Sequence, residues 1–97
     1  MKLDIQSIHF DADKKLIEYI EKKLNKLETF YDHILSGEVF LKLNNDVKDN
    51  KEVEVKLHVH NHSMFVKESS ISFEAAIDMA ESTLRGQLVK YKERLRG

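Results

Sequence analysis

The sequence predicts an α+β fold with the element order β-α-β-β-β-α, in which two helices pack on one face of a four-stranded sheet. Apolar residues recur at steps of three and four over residues 14–30 and 73–97, the pattern of two amphipathic helices. Four shorter segments show the alternation of apolar and polar residues that is typical of strands. The third strand alternates strictly, which indicates a sheet covered on one face, and each helix has a single apolar stripe to bury. Both helices are therefore expected on that face.

The first strand and the first helix are predicted over residues 2–30. Leu3 and Ile5 alternate with polar residues, and the strand is expected to stop near Phe10. Asp13 is the predicted N-cap, because the helical stripe starts directly after it. The apolar face of this helix consists of Leu16, Ile20, Leu24 and Leu27, with Ile17 and Tyr31 at its margins.

Three strands follow a short connector at residues 31–33. Ser36-Gly37 predicts a turn or a bulge at the start of the second strand, and the polar residues 44–51 are typical of a hairpin connection. A turn at Asn61-His62 is expected to lead to a fourth strand over Met64–Glu68, with Phe65 facing outward. The inward residues of the second and third strands are Val39, Leu41, Leu43, Val53, Val55, Leu57 and Val59.

The second helix is predicted from a cap at Ser72 to the end of the chain. Its stripe consists of Phe73, Ile77, Ala80, Leu84, Leu88, Tyr91 and Leu95. Tyr91 lies at the centre of that stripe, so we expect it to pack in the core rather than to stack on a ligand. Gly86 interrupts the helix at a cost of about 1 kcal/mol relative to Ala.

Length and composition exclude several classes of protein. Ninety-seven residues, of which 41% are hydrophobic, predict a single domain over residues 1–97 with its own core. The chain has no Cys, which excludes disulfides and thiolate zinc sites. No apolar run reaches the length of a signal sequence or a membrane span, and we therefore expect a cytoplasmic protein with no membrane partner.

Positive charge is concentrated in the two helices, although the whole chain has a net charge of −1. Residues 14–26 carry +3 and residues 83–97 carry +4, so the remainder carries −8. Such segregation orients a polyanionic partner better than uniform basicity would. The alternative is that these Lys and Arg side chains only solvate two amphipathic helices.

The candidate site is a nucleic-acid-binding surface on both helices. Because the helices lie over the same sheet face, their cations are expected to meet along a ridge and groove, at spacings suited to successive phosphates. Such a surface reads backbone and shape and has no obvious base-reading element, which favours folded RNA over a DNA operator. The candidate RNA-binding residues are Lys22, Lys23, Lys26, Arg85, Lys90, Lys92, Arg94 and Arg96.

Other chemistry has weaker support in the sequence. His58, His60 and His62 stand at a spacing of two, which can direct two imidazoles to a zinc ion, but a third and fourth ligand would have to come from elsewhere. We favour a solvated sheet face for these residues. No nucleophile with a base and no phosphate-cradling Gly loop is present. We expect no enzyme activity, no metal and no cofactor.

Several segments resemble the family of the ribosome hibernation-promoting factor and ribosome-associated inhibitor A. They are the opening MKLDI, the helix LIEYIEKKLNKLETFYDHI, the strand EVKLHVH and the run AAIDMAESTLRGQLVKYKERL. The more specific motifs are K-x-x-K-L-E at Lys23–Glu28 and, within residues 75–92, A-A-I-D followed by Q-L-x-K-x-K. The resemblance covers nearly the whole chain.

This resemblance implies a sheet with both helices on one side, akin to a double-stranded-RNA-binding domain with an extra strand. It implies binding to the small ribosomal subunit, in the channel otherwise occupied by mRNA and tRNA anticodon stems, and no small-molecule substrate. By occupying that channel the protein would block initiation and protect idle ribosomes during stationary phase or starvation. The family's basic positions carry over at Lys23, Lys26, Lys90 and Lys92.

The chain departs from the family pattern at two positions, with Thr83 in place of the usual Lys and Gly86 in place of the usual Arg. It resembles the short form of the family, without the additional C-terminal domain or the acidic tail. The sequence leaves open whether such a protein promotes ribosome dimers and with which helper protein. A second hypothesis is a protein-interaction module that uses Phe65, His58 and Phe40 on the open sheet face.

Overall fold

A computed structural model describes residues 1–45 and 48–96 and confirms the predicted fold class and element order. Its elements are β1 (Lys2–Ser7), α1 (Lys14–Asn25) with a following 3₁₀ turn (Lys26–Thr29), β2 (Ile34–Leu43), β3 (Lys51–Val59), β4 (His62–Ser70) and α2 (Phe73–Arg96). The predicted loop at 44–51 includes Asp46 and Val47, and the predicted second helix includes Gly97; these three residues lie outside the described part of the chain.

The four strands form one sheet in the order β1-β2-β3-β4. β1 is parallel to β2, and the other two pairs are antiparallel. A parallel pair needs a crossover connection, which α1 supplies between β1 and β2. The register aligns Ile5, Val39, Val55 and Val66 in one row across the sheet, so β-branched side chains form the floor on which the helices pack.

The core lies between this sheet and both helices, as predicted. Each Leu, Ile or Val side chain that is fully buried in this core stabilises the fold by roughly 1.5–3 kcal/mol. The predicted stripe of α2 is wrong at its end, because Leu95 is 61% exposed and Tyr91 is the last stripe residue that packs against the core. The fully buried side chains include Ile20, Leu24, Leu27, Val39, Leu41, Val53, Val55, Leu57, Ile77, Ala80, Leu84 and Leu88.

Both predicted helix caps are confirmed. The Asp13 carboxylate accepts a hydrogen bond from the Leu16 backbone N–H at 2.8 Å, and the Ser72 hydroxyl accepts one from the Ala75 N–H at 3.1 Å. The first helix is shorter than predicted, since the α-helix ends at Asn25 and continues as a 3₁₀ turn to Thr29. The tighter turn ends with the Phe30 N–H bonded to the Leu27 carbonyl at 3.0 Å.

The fourth strand starts two residues earlier than predicted. A two-residue connection at His60-Asn61 joins β3 to β4, and Asn61 adopts φ 61°, a left-handed conformation that Asn tolerates better than most residues. His62 is therefore the first strand residue, paired with Val59, and not part of the turn. Of the turn or bulge predicted at Ser36-Gly37, the structure has a register irregularity of the bulge kind, between Ile34 and Ser36 within β2.

The glycines at positions 37 and 86 should respond oppositely to substitution by Ala. A Cβ at Gly86 meets nothing within 4 Å on an exposed helix surface, so Gly86→Ala should stabilise the protein by about 1 kcal/mol. A Cβ at Gly37 would lie 2.9 Å from Leu3 Cδ2 and 3.1 Å from Leu57 Cδ2, so Gly37→Ala should destabilise it by about 1 kcal/mol or more. Urea unfolding of both variants measures the two changes. Equal effects of the two substitutions would contradict these environments.

Candidate nucleic-acid interface

The helices α1 and α2 lie side by side and run in the same direction. In the middle of α1, the Tyr19 hydroxyl donates a hydrogen bond to Asp78 Oδ1 at 2.6 Å. Beyond the end of α1, the Arg85 guanidinium carbon lies 5.6 Å from the centroid of the Phe30 ring, a cation–π contact. From the first contact to the second, the residue numbers rise along both helices, which shows that the helices are parallel. The flanks that carry Lys and Arg therefore border a common groove.

The α1 side of this groove carries three of the predicted lysines. Lys22, Lys23 and Lys26 line a shallow cavity of about 230 Å³ together with Tyr19. Lys23 is partly buried, with its Nζ 3.4 Å from Asp78 Oδ1, so its charge is partly compensated. Lys22 and Lys26 are exposed and have no ion-pair partner among residues 1–45 and 48–96. These two lysines are the ones most available to a polyanion.

The α2 side of the groove carries Arg85, Lys92 and Arg96. These residues stand seven and four positions apart, which places them on one flank of a helix. Lys92 and Arg96 line a cavity of about 290 Å³ that also includes Phe30 and Val89. We call the surface formed from both helices the inter-helix groove. Its cations are Lys22, Lys23, Lys26, Arg85, Lys92 and Arg96.

The remaining two predicted residues lie on a different surface. Lys90 is about 160° around the helix axis from Lys92 at 100° per residue, and Arg94 is on the same side as Lys90. Both line a separate cavity of about 220 Å³ between α2 and the edge strand β4, which we call the edge cleft. The expectation that all eight cations share one ridge is therefore wrong, because cations two positions apart on a helix point in nearly opposite directions. The other residues that line the edge cleft are His62, Ser63, Met64, Phe65, Gln87 and Tyr91.

A run of aromatic rings connects the two surfaces. Tyr31 is buried and contacts Tyr91 edge to face, with ring centroids 5.7 Å apart and an interplanar angle of 88°. Tyr91 is stacked on His62 at 5.2 Å and 8°, and its hydroxyl donates a hydrogen bond to the His60 carbonyl at 3.0 Å. The half-buried Tyr91 thus joins the core, as predicted, and also supports the imidazole of His62.

Sequence reasoning missed Phe30, His62 and Gln87 as parts of these surfaces. Phe30 is the last residue of the predicted helix, four positions after Lys26, and this closeness to basic residues was the available signal. His62 was assigned to a turn, where its side chain has no defined face. Its pairing with Val59 places it on the helix-facing side of the sheet, and no pattern within the chain indicates that it meets Tyr91.

The open face of the sheet has mixed charge and internal pairing. Lys42 lies 3.0 Å from Glu54, and Lys67 lies 3.6 Å from Glu52. His58 Nε2 is 3.3 Å from a Glu38 carboxylate oxygen. Phe65 is 55% exposed, which confirms its predicted outward orientation, and Phe40 is half-buried. This face presents no concentration of charge of one sign.

The three histidines do not form a metal site. His58 faces the open side of the sheet, whereas His62 lies against Tyr91 on the other side. In the part of the chain that the structure describes, no group of three or more His, Asp or Glu side chains is arranged to hold a metal ion. No helix within residues 1–45 and 48–96 is long and apolar enough to cross a membrane.

Comparison with known proteins identifies similar sequences. Residues 3–96 match the model of the family described as Sigma 54 modulation protein / S30EA ribosomal protein. The ribosome hibernation promoting factor of Azotobacter vinelandii is 30% identical over 94 residues, which cover 97% of this chain and 85% of that protein. The ribosome hibernation promotion factor of Deinococcus radiodurans is 38% identical over 87 residues, which cover 87% of this chain. The matched region spans 45% of the Deinococcus protein, somewhat less than half of its length.

Solved structures show the same fold. A ribosomal subunit interface protein from Coxiella burnetii superposes with a TM-score of 0.86 at 24% identity, over 96% of this chain and 99% of that one. The N-terminal domain of Thermus thermophilus Protein Y superposes with a TM-score of 0.83 at 25% identity, over 94% of this chain and 99% of that domain. The arrangement of two helices on one face of the sheet is therefore shared with both proteins.

The Tyr19–Asp78 contact at the edge of the groove predicts a measurable titration. The hydrogen bond to Asp78 raises the pKa of Tyr19 to about 12 from an ordinary value of 10.0, and burial and the charges of Asp78 and Glu74 act in the same direction. Because the pKa is higher in the folded state, the contact contributes its full stability below about pH 10 and loses it as the pH rises towards 12.

We expect Asp78→Asn to lower the pKa of Tyr19 towards 10, because the substitution removes the charged acceptor. Ultraviolet absorbance of tyrosinate in the folded protein measures this titration, and Tyr19→Phe identifies the tyrosine that is responsible. A high-pH titration that is the same in Asp78→Asn and in the unsubstituted protein would contradict the assignment.

Proposed function

Because this chain belongs to the Sigma 54 modulation protein / S30EA ribosomal protein family, which includes ribosome hibernation factors, we propose that it binds the small ribosomal subunit through rRNA phosphates in the inter-helix groove. The observation that carries this proposal is the grouping of six cations from both helices along one groove, whereas on the open sheet face Lys42 and Lys67 are paired with carboxylates. Ribosomal RNA is the polyanion that a ribosome-associated protein meets.

The groove cations suit phosphate contacts of two kinds. Arg85 is held against Phe30, so its planar guanidinium is oriented before binding and can donate two hydrogen bonds to one phosphate. Lys22 and Lys26 are exposed point charges on flexible stems and can follow the backbone of an irregular RNA. About four to six phosphates can be neutralised by this set, with Lys23 contributing less because Asp78 already compensates it.

Acidic residues limit the RNA-binding surface to part of the groove. Glu74 and Asp78 lie in the first turns of α2, whereas all five cations of this helix follow Leu84. A phosphate backbone is repelled by the acidic first turns of α2 and attracted by the basic turns after Leu84. The bound RNA is therefore placed along the end of α1, the 3₁₀ turn and the C-terminal half of α2.

Occupation of the mRNA and tRNA channel requires binding and no chemistry. A folded α+β body in that channel excludes mRNA and anticodon stems sterically, so initiation stops while the protein stays bound. Such a protein is a non-enzymatic translation silencer that acts in the cytoplasm, where it protects idle ribosomes under starvation or in stationary phase.

A matched pair of triple variants tests which face carries the binding. Lys26/Arg85/Lys92→Gln removes three charges from the groove, and Lys2/Lys56/Lys67→Gln removes three charges from the open sheet face. We expect the groove variant to lose co-sedimentation with purified small ribosomal subunits by at least tenfold in affinity and the sheet variant to bind normally, since phosphate contacts are local.

Thermal unfolding of both triple variants confirms that they are folded. Loss of binding in the sheet variant with retention in the groove variant would contradict the proposal. That result would instead support the second hypothesis, a protein-interaction surface around Phe65 on the open face.

Salt dependence provides an independent test. With about five phosphates neutralised, the logarithm of the affinity for small subunits should fall with the logarithm of salt concentration at a slope of roughly −4 to −5. The slope of the groove triple variant should be smaller by about three, one for each cation removed. A slope near zero for the unsubstituted protein would show that phosphate contacts do not drive the binding.

A further inference from the structure

The edge cleft combines chemical groups that the inter-helix groove lacks. It is lined by a stacked imidazole and phenol, two cations and one carboxamide, in a cavity of about 220 Å³. The groove also contains aromatic rings, but the Tyr19 hydroxyl is bonded to Asp78 and the Phe30 ring is covered by the Arg85 guanidinium. The difference in lining indicates that the cleft recognises something other than a bare phosphate.

We propose that the edge cleft binds a single unstacked RNA base together with its phosphate. This inference rests on the proposed function, because it assumes that RNA is the partner of the helical surface. It gives the protein a base-recognising element in addition to the phosphate contacts of the groove.

The stacking platform is His62. One face of its ring lies on Tyr91 at a centroid distance of 5.2 Å and an angle of 8°, yet His62 remains exposed. Tyr91 in turn contacts Tyr31 edge to face and is hydrogen-bonded to the His60 carbonyl, so two contacts orient the ring that supports His62. A base that stacks on the free face of His62 extends an existing column of rings, and a preorganised platform lowers the entropic cost of binding.

The charges for the phosphate come from Lys90 and Arg94. Both are exposed, and neither has an ion-pair partner in the described ranges 1–45 and 48–96. They stand four residues apart on α2 and therefore lie one above the other on the same flank, beside the platform. A nucleotide fits this arrangement, because its base can stack on His62 while its phosphate lies beside the two cations.

Gln87 supplies hydrogen-bonding capacity for the base edge. It is half-buried in the cleft lining, three residues before Lys90 on the same flank of α2. A carboxamide offers two N–H donors and a carbonyl acceptor, which can pair with the donor and acceptor atoms of a base.

An extended acidic peptide is the main competing occupant, because β4 is an edge strand and can pair with another strand. The side chains of the cleft favour the base. A peptide strand would use the backbone of β4 and the two cations, and it would leave the His62–Tyr91 stack without a role. A planar heterocycle uses the stack, the cations and the carboxamide together.

The experiment compares two RNAs and two substitutions of His62. One short RNA duplex carries a single bulged 2-aminopurine, and the other is fully paired. The unsubstituted protein should bind the bulged duplex about tenfold more tightly than the paired one and quench its fluorescence, as expected for stacking of one base. His62→Ala should abolish both the preference and the quenching, whereas His62→Phe should keep both, because a phenyl ring can also stack.

Parallel co-sedimentation with small ribosomal subunits separates this inference from the proposed function. If the protein binds subunits but His62→Ala leaves the preference for the bulged duplex unchanged, the base site is wrong and the proposed function stands. If the protein does not bind subunits, the proposed function fails whatever the RNA duplexes show. Lys26/Arg85→Gln should weaken binding of both duplexes equally and leave their ratio unchanged.

Two further results would overturn the base site. Loss of the preference in His62→Phe as well as in His62→Ala would show that stacking is not the interaction. The second result concerns a labelled oligoglutamate peptide. If this peptide displaces the bulged duplex and binds His62→Ala as tightly as the unsubstituted protein, the cleft is a peptide site. Thermal unfolding of both His62 variants establishes that they are folded.

Discussion

The burial of two helical stripes on a single face of the sheet is the constraint on which the remaining structure depends. The sheet offers one apolar face, built from rows such as Ile5, Val39, Val55 and Val66, and both helices need it. They must then lie side by side, which brings Tyr19 to Asp78 and Phe30 to Arg85. The facing flanks of both helices then border one groove, and the opposite sheet face is left to solvent.

The same constraint determines how charge is distributed over the molecule. On the open face, lysines and glutamates alternate on adjacent strands, so they pair with one another, as Lys42 does with Glu54. On the helical face, each helix directs its apolar stripe inward and its cations to the flanks, where few carboxylates are within reach. Two carboxylates do pair with helix lysines: Asp78 compensates Lys23 at one end of the groove, and Glu18 lies 3.9 Å from Lys14. A chain with a net charge of −1 thereby presents a strongly basic surface on one side.

Helical geometry divides this basic surface into two parts with different chemistry. Lys90 and Lys92 are close in sequence but lie about 160° apart around α2. Lys92 borders the inter-helix groove, where an RNA backbone finds mainly positive charge. Lys90 borders the edge cleft, where His62 and Gln87 add a flat ring and a carboxamide. Tyr91 lies between the two lysines, packs on Tyr31 and supports His62, so one core residue fixes the position of both surfaces.

Local pattern was sufficient for much of this protein. The element order, the inward stripes, the caps at Asp13 and Ser72, and the family resemblance all follow from residues that are near one another in the chain, because periodicity and capping are short-range properties. The same patterns showed that the Lys and Arg residues are concentrated in the two helices, but not which of these residues share a surface.

Contacts between residues that are far apart in the chain depend on how the helices pack on the sheet. Tyr19 and Asp78 are 59 positions apart, and the stack of His62 on Tyr91 depends on a strand register and a helix position that no local pattern specifies. The exposure of Leu95 has the same origin, since a stripe residue is buried only where another element lies opposite it. The fold and its basic helices thus follow from local sequence patterns, whereas the division of the cations between a groove and a cleft follows from packing, because packing sets which side chains meet.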